Sequence, residues 1–312
     1  MGDRAGGGDH VRVAVLLGGP SAERAVSLVS GAACVAALGR LGHEVTEIDL
    51  GPDVAQRLSD AKPDVVFNAL HGTPGEDGSV QGLCALMGLR ITHSGVAASA
   101  IAIDKELTKR LLVPLGIPMP GGRVVESASL HEADPLPRPY VLKPVNEGSS
   151  VGVAIITQGH NAGTPIARDA PGPWREFTHL LAEPFIPGRE LTVAVLGDEA
   201  LGVTELRPTQ GFYDYDAKYT DGRTTHILPA NSPADVAEAA CAIALSAHRS
   251  LGCAGVSRSD FRFDDSRGVA GLSLLEVNTQ PGMTPLSLVP EQAAHRGIGF
   301  DDLVQRLVDL AR

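Results

Sequence analysis

A chain of 312 residues, 43% hydrophobic and 20% charged, is a globular protein long enough for two or three domains, each with its own core. A formal net charge of −11 argues against nucleic acid or an anionic membrane surface as a partner, although local lysines and arginines can still hold a phosphate. No apolar run approaches the roughly 20 residues that a membrane-spanning helix needs.

The Gly-rich, polar stretch 1–10 has no hydrophobic region of a signal peptide and reads as a disordered leader. Val11–Leu17 is a compact apolar strand ending at Gly18-Gly19-Pro20. Ser21 is the expected N-cap of a helix over Ala25–Leu41, stopped by Gly42. Glu44–Leu50 reads as a strand, Val54–Leu58 as a short helix, and Asp64–Leu70 as a second buried strand. Ser79–Met87 has helical spacing, Leu89–Thr92 is a strand, and Val96–Leu115 is one long helix. Strands alternating with helices imply a parallel sheet, whose ligands gather beyond the strand C-termini; Gly18-Gly19 and His71-Gly72 lie at two such ends.

After Gly116 prolines punctuate shorter strands. Tyr140–Pro144, Val151–Ile156 and Leu180–Phe185 read as an antiparallel set, and Leu191–Leu196 with Ala200–Leu206 as a hairpin turned by Gly197-Asp198. Arg207–Pro229 is long, polar and without period, the pattern of a lid or a disordered loop. Ala234–Leu251 is a helix, two apolar strands follow, and helices close the chain from Ser287 to Leu310. Cys34, Cys84, Cys241 and Cys253 form no Cys-x-x-Cys pair and read as reduced core thiols of a cytoplasmic protein.

Glu276 and Asn278 are two apart on the last of those strands, so both side chains project from one face. Alone, that pair reads equally as an edge strand showing a polar face to water. Arg258-x-Asp260 on the neighbouring strand and the Pro281-Gly282-Met283-Thr284 turn favour a metal-phosphate site instead, because two carboxylates and an amide suit a hard ion such as Mg²⁺. The chain has neither a Walker A loop nor a G-x-G-x-x-G fingerprint. Lys143 ends an apolar strand before Glu147-Gly148-Ser149-Ser150-Val151-Gly152, a loop whose backbone N–H groups can reach phosphate; a flexible hairpin with an exposed lysine is the alternative. Lys105, inside the long helix, carries little by itself. Leu181–Glu190 is either a slot for an adenine ring with a carboxylate for a ribose diol, or an ordinary linker.

Five stretches in this order resemble the ATP-grasp enzymes and, within them, the D-alanine–D-alanine ligase family. They are 17–24 (Leu-Gly-Gly-Pro-Ser-Ala-Glu-Arg), His71-Gly72 with Gly75–Gly78, Glu147–Gly152, Tyr213–Tyr219, and Asn278–Thr284. The resemblance runs from Val13 to the C-terminal helices. It implies a three-domain α/β (α+β) ATP-grasp fold: an N-terminal parallel-sheet substrate domain (11–94), a central subdomain (95–184), and a C-terminal catalytic domain (185–312) with a lid at about 208–228. ATP would lie between the last two.

The same resemblance implies the chemistry. ATP phosphorylates the carboxylate of one D-alanine, the amine of a second attacks the acyl phosphate, and D-alanyl-D-alanine leaves for peptidoglycan synthesis. A relative using D-serine, D-lactate or another D-amino acid as second substrate is the alternative. Asp260, Glu276 and Asn278 would bind two Mg²⁺ ions (or Mn²⁺), and Arg258 and the Gly282 N–H would stabilise the acyl phosphate and oxyanion. Lys105, Lys143, Ser150 and Lys218 would contact phosphates, Glu183, Phe185 and Ile186 adenine, and Glu190 ribose. Glu23, with His71 nearby, would receive the first ammonium group; Ser149 and Tyr219 would link to it and close the lid. Ser287 and Leu288 would hold the second substrate. A tyrosine at 219 is typical of dipeptide ligases, Gln280 stands where relatives often have serine, and Phe185 where they often have tryptophan. A homodimer is a further expectation from the family.

Overall fold

The computed structural model describes residues 10–148, 152–157, 166–167, 170–208 and 224–312. They group into two compact units, one running through Val96 and resuming at Gln280–Arg312, the other spanning Ala97–Thr279.

The first unit is built on four parallel strands in the order β2-β1-β3-β4: β1 (Arg12–Leu17), β2 (Glu44–Asp49), β3 (Val65–Asn68) and β4 (Arg90–Ile91). Continuous apolar runs form β1 and β3 because a parallel strand between helical layers is covered on both faces; Val13–Leu17 and all of β3 are buried. The connections are α1 (Arg24–Arg40), α2 (Val54–Ala61) and α3 (Ser79–Leu86). Ser21 does not cap α1 as expected. The cap position is Glu23, without a side-chain cap bond, and the Ser21 hydroxyl accepts from the Glu23 N–H at 3.1 Å and donates to the His71 carbonyl at 2.6 Å. Residues 280–312, grouped by the sequence reading with 185–279, pack on the N-terminal sheet: Ile91 and Arg312 exchange backbone bonds, and Arg40 pairs with Asp301.

In the second unit, the single helix expected over Val96–Leu115 is broken into α4 (Val96–Ile103) and α5 (Lys105–Leu112), followed by a 3₁₀ turn over Val113–Leu115. Asp104 causes the break. Its backbone is extended and its carboxylate accepts from the Leu107 N–H at 2.9 Å, so it caps a new helix whose first residue is Lys105.

Two antiparallel sheets follow. One has the order β5-β8-β6-β7, from β5 (Arg123–Glu126), β6 (Tyr140–Pro144), β7 (Ala154–Ile156) and β8 (His179–Pro184), over a core that includes Leu130, Tyr140, Leu142 and Leu180. The edge strand β5 was not foreseen. The other sheet has the order β11-β10-β9-β12-β13: β9 (Arg189–Leu196), β10 (Glu199–Pro208), β11 (Thr224–Ile227), β12 (Val256–Phe263) and β13 (Leu272–Asn278). Part of the segment read as a lid is therefore strand, since β11 pairs with β10. The buried alanines Ala240, Ala244 and Ala247 of α6 (Ala234–Ser250) pack with Val193, Phe261 and Leu274 in the core of this sheet. The chain closes with α7 (Leu288–His295) and α8 (Phe300–Asp309). All four cysteines are free, and three are buried. Among the described residues no helix is long and apolar enough to cross a membrane.

Candidate active site

β12 alternates strictly: Ser257, Ser259, Phe261 and Phe263 are buried while Arg258, Asp260 and Arg262 are only partly covered. On β13, Arg258 pairs with Asn278 and Asp260 with Glu276, so four polar residues form a two-by-two block on one face. Directly beyond the block the register slips at a bulge between Asp260 and Phe261, a device common beside active sites. Two carboxylates directly opposite one another repel. Arg258 offsets this by forking onto Asp260, Nε to Oδ1 at 2.9 Å and Nη2 to Oδ2 at 2.7 Å, and the buried Thr192 hydroxyl donates to Asp260 at 2.7 Å.

Lys105 serves Glu276. As the first residue of α5 it is buried, its Nζ donates to the Glu147 carbonyl at 2.5 Å, and it lies 3.7 Å from Glu276 Oε2. Lys143, at the end of β6, is 2.7 Å from Glu183 Oε2, and Lys109 of α5 is 2.8 Å from Glu183 Oε1. Lys105, Lys143, Glu183, Phe185, Ile186, Glu190, Asp260 and Glu276 all line one cleft. Arg258 and Asn278 form the next pair on the same face, two register positions along.

Arg262 clamps the segment read as an adenine slot. It donates to the carbonyls of Ile186 at 3.0 Å and Gly188 at 2.8 Å, pairs with Glu190 at 3.1 Å, and lies 5.7 Å over the Phe185 ring. Arg262, Thr192 and Lys109 were missed in the sequence. The available signals were Arg262 continuing the Arg258-x-Asp260 alternation and Lys109 standing one helical turn beyond Lys105.

In the first unit, Glu23 and His71 are both buried and joined through the Ser21 hydroxyl. His71 Nε2 is 3.1 Å from Ser30 Oγ, its Nδ1 is 3.7 Å from Glu76, and Ser30 Oγ accepts from the Met283 N–H at 3.3 Å. Ser287 precedes α7 and Leu288 opens it; the Ser287 hydroxyl accepts from the Thr284 N–H at 2.9 Å. A Cβ on Gly282 would stand 2.6 Å from Ser287 Oγ, so glycine is what lets this loop close on the serine. Gln280 donates to the Asn68 carbonyl at 2.7 Å, tying the loop to the end of β3. Beside Gly19, Asp49 accepts from the Arg24 guanidinium and the Gly19 N–H, which together hold its carboxyl down to about 2.

The expected site residues thus fall into one group in each unit. Ser149, Ser150, Lys218 and Tyr219, with most of the expected lid, lie outside the described residues. For a hard cation the donor set is suitable: Asp260, Glu276 and Asn278 offer oxygens from two facing strands.

A family model described as "D-ala D-ala ligase C-terminus" matches residues 122–309. The chain is 70% identical to a D-alanine–D-alanine ligase of Rhizorhabdus wittichii, over 96% of each chain. Among solved structures it is similar to the D-alanine–D-alanine ligase of Bacillus anthracis, with a TM-score of 0.80, 29% identity and 96% of each chain covered. The same enzyme complexed with ATP gives a TM-score of 0.78 at 28% identity over 97% of each chain.

Proposed function

The chain belongs to the D-alanine–D-alanine ligase family, and on that ground we infer that it joins two D-alanine molecules into D-alanyl-D-alanine for cell-wall synthesis. ATP is a substrate, a D-alanyl phosphate is the intermediate, and ADP and phosphate are released. The observation that carries this reading is the block of Arg258, Asp260, Glu276 and Asn278 beside a cleft that also holds Lys105 and Lys143. Phosphoryl transfer asks a protein chiefly for positioning and charge neutralisation, and this block supplies both signs of charge on rigid strands.

In this reading Asp260, Glu276 and Asn278 hold two Mg²⁺ ions (Mn²⁺ can stand in), which would neutralise the phosphates when bound. Lys105 and Lys143 contact phosphate oxygens, joined by Ser150 and Lys218. Glu183, Phe185 and Ile186 take the adenine, and Glu190 the ribose. The cleft's lining supports these roles: it has apolar side chains at Phe185 and Ile186, carboxylates at Glu183 and Glu190, and ammonium groups at Lys105 and Lys143. Arg258 stabilises the acyl phosphate, with the Gly282 N–H as second donor. Glu23 receives the first ammonium group near His71, Ser149 and Tyr219 close over it, and Ser287 and Leu288 seat the second substrate. The two antiparallel sheets of the second unit have separate cores, which supports ATP lying between a central part ending near residue 184 and a catalytic part from 185, although Ala98, Ala102, Leu112 and Ile117 pack in the core of the latter. A cytoplasmic location suits the use of ATP, and a homodimer rests on the family resemblance.

The test is turnover of the purified chain with ATP, Mg²⁺ and D-alanine, read as phosphate release and product identity, with D-serine and D-lactate offered as second substrates. D-Alanyl-D-alanine is the expected product. Phosphate release that depends on D-alanine yet yields no dipeptide would sink the reading.

A further inference from the structure

Lys109 is a buried cation to which the mechanism above gives no part. It lies on the covered face of α5 with Lys105, Thr108 and Leu112. Its Nζ is 2.8 Å from Glu183 Oε1 and 3.4 Å from the Gly121 carbonyl. Glu183 is only 3% exposed, and its other oxygen is 2.7 Å from Lys143. Glu183 and Lys143 line the cleft; Lys109 does not, so whatever it does to a nucleotide it does through Glu183.

The neighbouring backbone adds a second constraint. Gly122 has φ +146°, and a Cβ there would stand 2.3 Å from the Ala182 carbonyl oxygen and 3.1 Å from Glu183 Cγ. Only glycine lets the chain entering β5 run this close behind the glutamate. Glu183 is thus gripped from the side away from the cleft by Lys109 and the Gly121-Gly122 backbone.

A carboxylate has about four acceptor sites and no proton to donate. Two sites on Glu183 are taken by ammonium groups, and the rest can accept the exocyclic amine of adenine but have no proton to offer the oxygen that replaces it in a 6-oxo purine. A buried carboxylate also needs a charge partner. If Lys143 were its only one, a phosphate drawing on that lysine would leave Glu183 uncompensated.

We propose that Lys109 is a positioning residue for base selectivity: it holds Glu183 as an acceptor for the 6-amino group of adenine while Lys143 turns to the phosphates. The proposal rests on Glu183 being the adenine contact.

The test compares ATP with inosine triphosphate, its 6-oxo analogue, in Lys109→Met, Lys109→Arg and Glu183→Gln. Steady-state kinetics are paired with equilibrium binding of each nucleotide. Lys109→Met should raise KM for ATP about tenfold, fall far less in kcat, and cut the ATP preference about tenfold. Lys109→Arg should restore most of that preference. If Lys109→Met does not fold, Lys109→Gln, neutral but still a donor, should shift preference the same way. An unchanged preference in the neutral Lys109 variant, with a loss in Glu183→Gln, overturns the role of Lys109 and leaves the adenine contact standing. Unchanged preference in Glu183→Gln as well removes the contact and the proposal together.

Discussion

Asp260 and Glu276 stand directly opposite each other across β12 and β13, two carboxylates at one cross-strand position. Such a pair costs stability, on the order of 0.2–1 kcal/mol, and persists here with Arg258 forked onto one member and Lys105 near the other. A fold selected for stability alone has no use for it; a site that must bind cationic charge does.

Glu276→Gln should therefore leave stability unchanged or raise it by about 0.5 kcal/mol, because it removes the repulsion at the cost of a long, 3.7 Å contact with Lys105. Ligation should fall by about a hundredfold or more. Urea unfolding and phosphate release on one preparation check both halves. A clear loss of stability would mean that the carboxylate is there for the fold.

Arg258→Ala should lower kcat by about 10²–10³-fold with a smaller change in KM for ATP, since the guanidinium acts on the developing charge. Asp260 would lose both guanidinium bonds and keep that from the Thr192 hydroxyl. Initial rates at saturating D-alanine decide it, and a rate within a few-fold of the unaltered chain removes Arg258 from this role.

The Gln280 amide anchors its loop to Asn68. Asn68 in turn bonds the Gly75 carbonyl and the Leu70 N–H, so one hydrogen bond ties two loops of the first unit. Gln280→Ala should cost about 1–3 kcal/mol and lower the melting temperature by several degrees. An unchanged melting temperature contradicts the anchor.

His93 is buried against the edge of Phe67 and holds a φ of +70°. Burial, and then repulsion from His71, pull its pKa down from 6.5 to about 3. The unfolded chain takes up a proton that the folded chain refuses, so stability is unaffected above about pH 6.5 and falls as pH drops toward 3, by up to about 1.4 kcal/mol per unit. Asparagine tolerates positive φ, so His93→Asn should flatten this slope without straining the backbone. Urea unfolding at pH 7 and pH 5 measures it; equal slopes in both proteins contradict the assignment.

The strands that position the site were legible because their periods are simple. Val13–Leu17 is apolar throughout because both its faces are covered, and the two-residue spacing of Glu276 and Asn278 placed them on one face before any pairing was known. What escaped was non-local. Asp104 reads as one polar residue in a long helix, and only its bond to the Leu107 N–H shows that a second helix starts there. That start buries Lys105 and Lys109, which on a continuous helix would count as solvated. β5 is a partly exposed edge strand without clear alternation, so its sequence carries almost no signal until β8 is beside it. Thr224–Ile227 was hidden in the same way inside a polar stretch, and its partner lies beyond a long connection.

The most direct measurement is a crystal structure of this chain with an ATP analogue, Mg²⁺ and D-alanine. The adenine should lie against Glu183 and Ile186, the phosphates between Lys105 and Lys143, and the metal ions on Asp260, Glu276 and Asn278. A nucleotide bound away from this cleft, or metal ions with no ligand from β12 and β13, would contradict this reading.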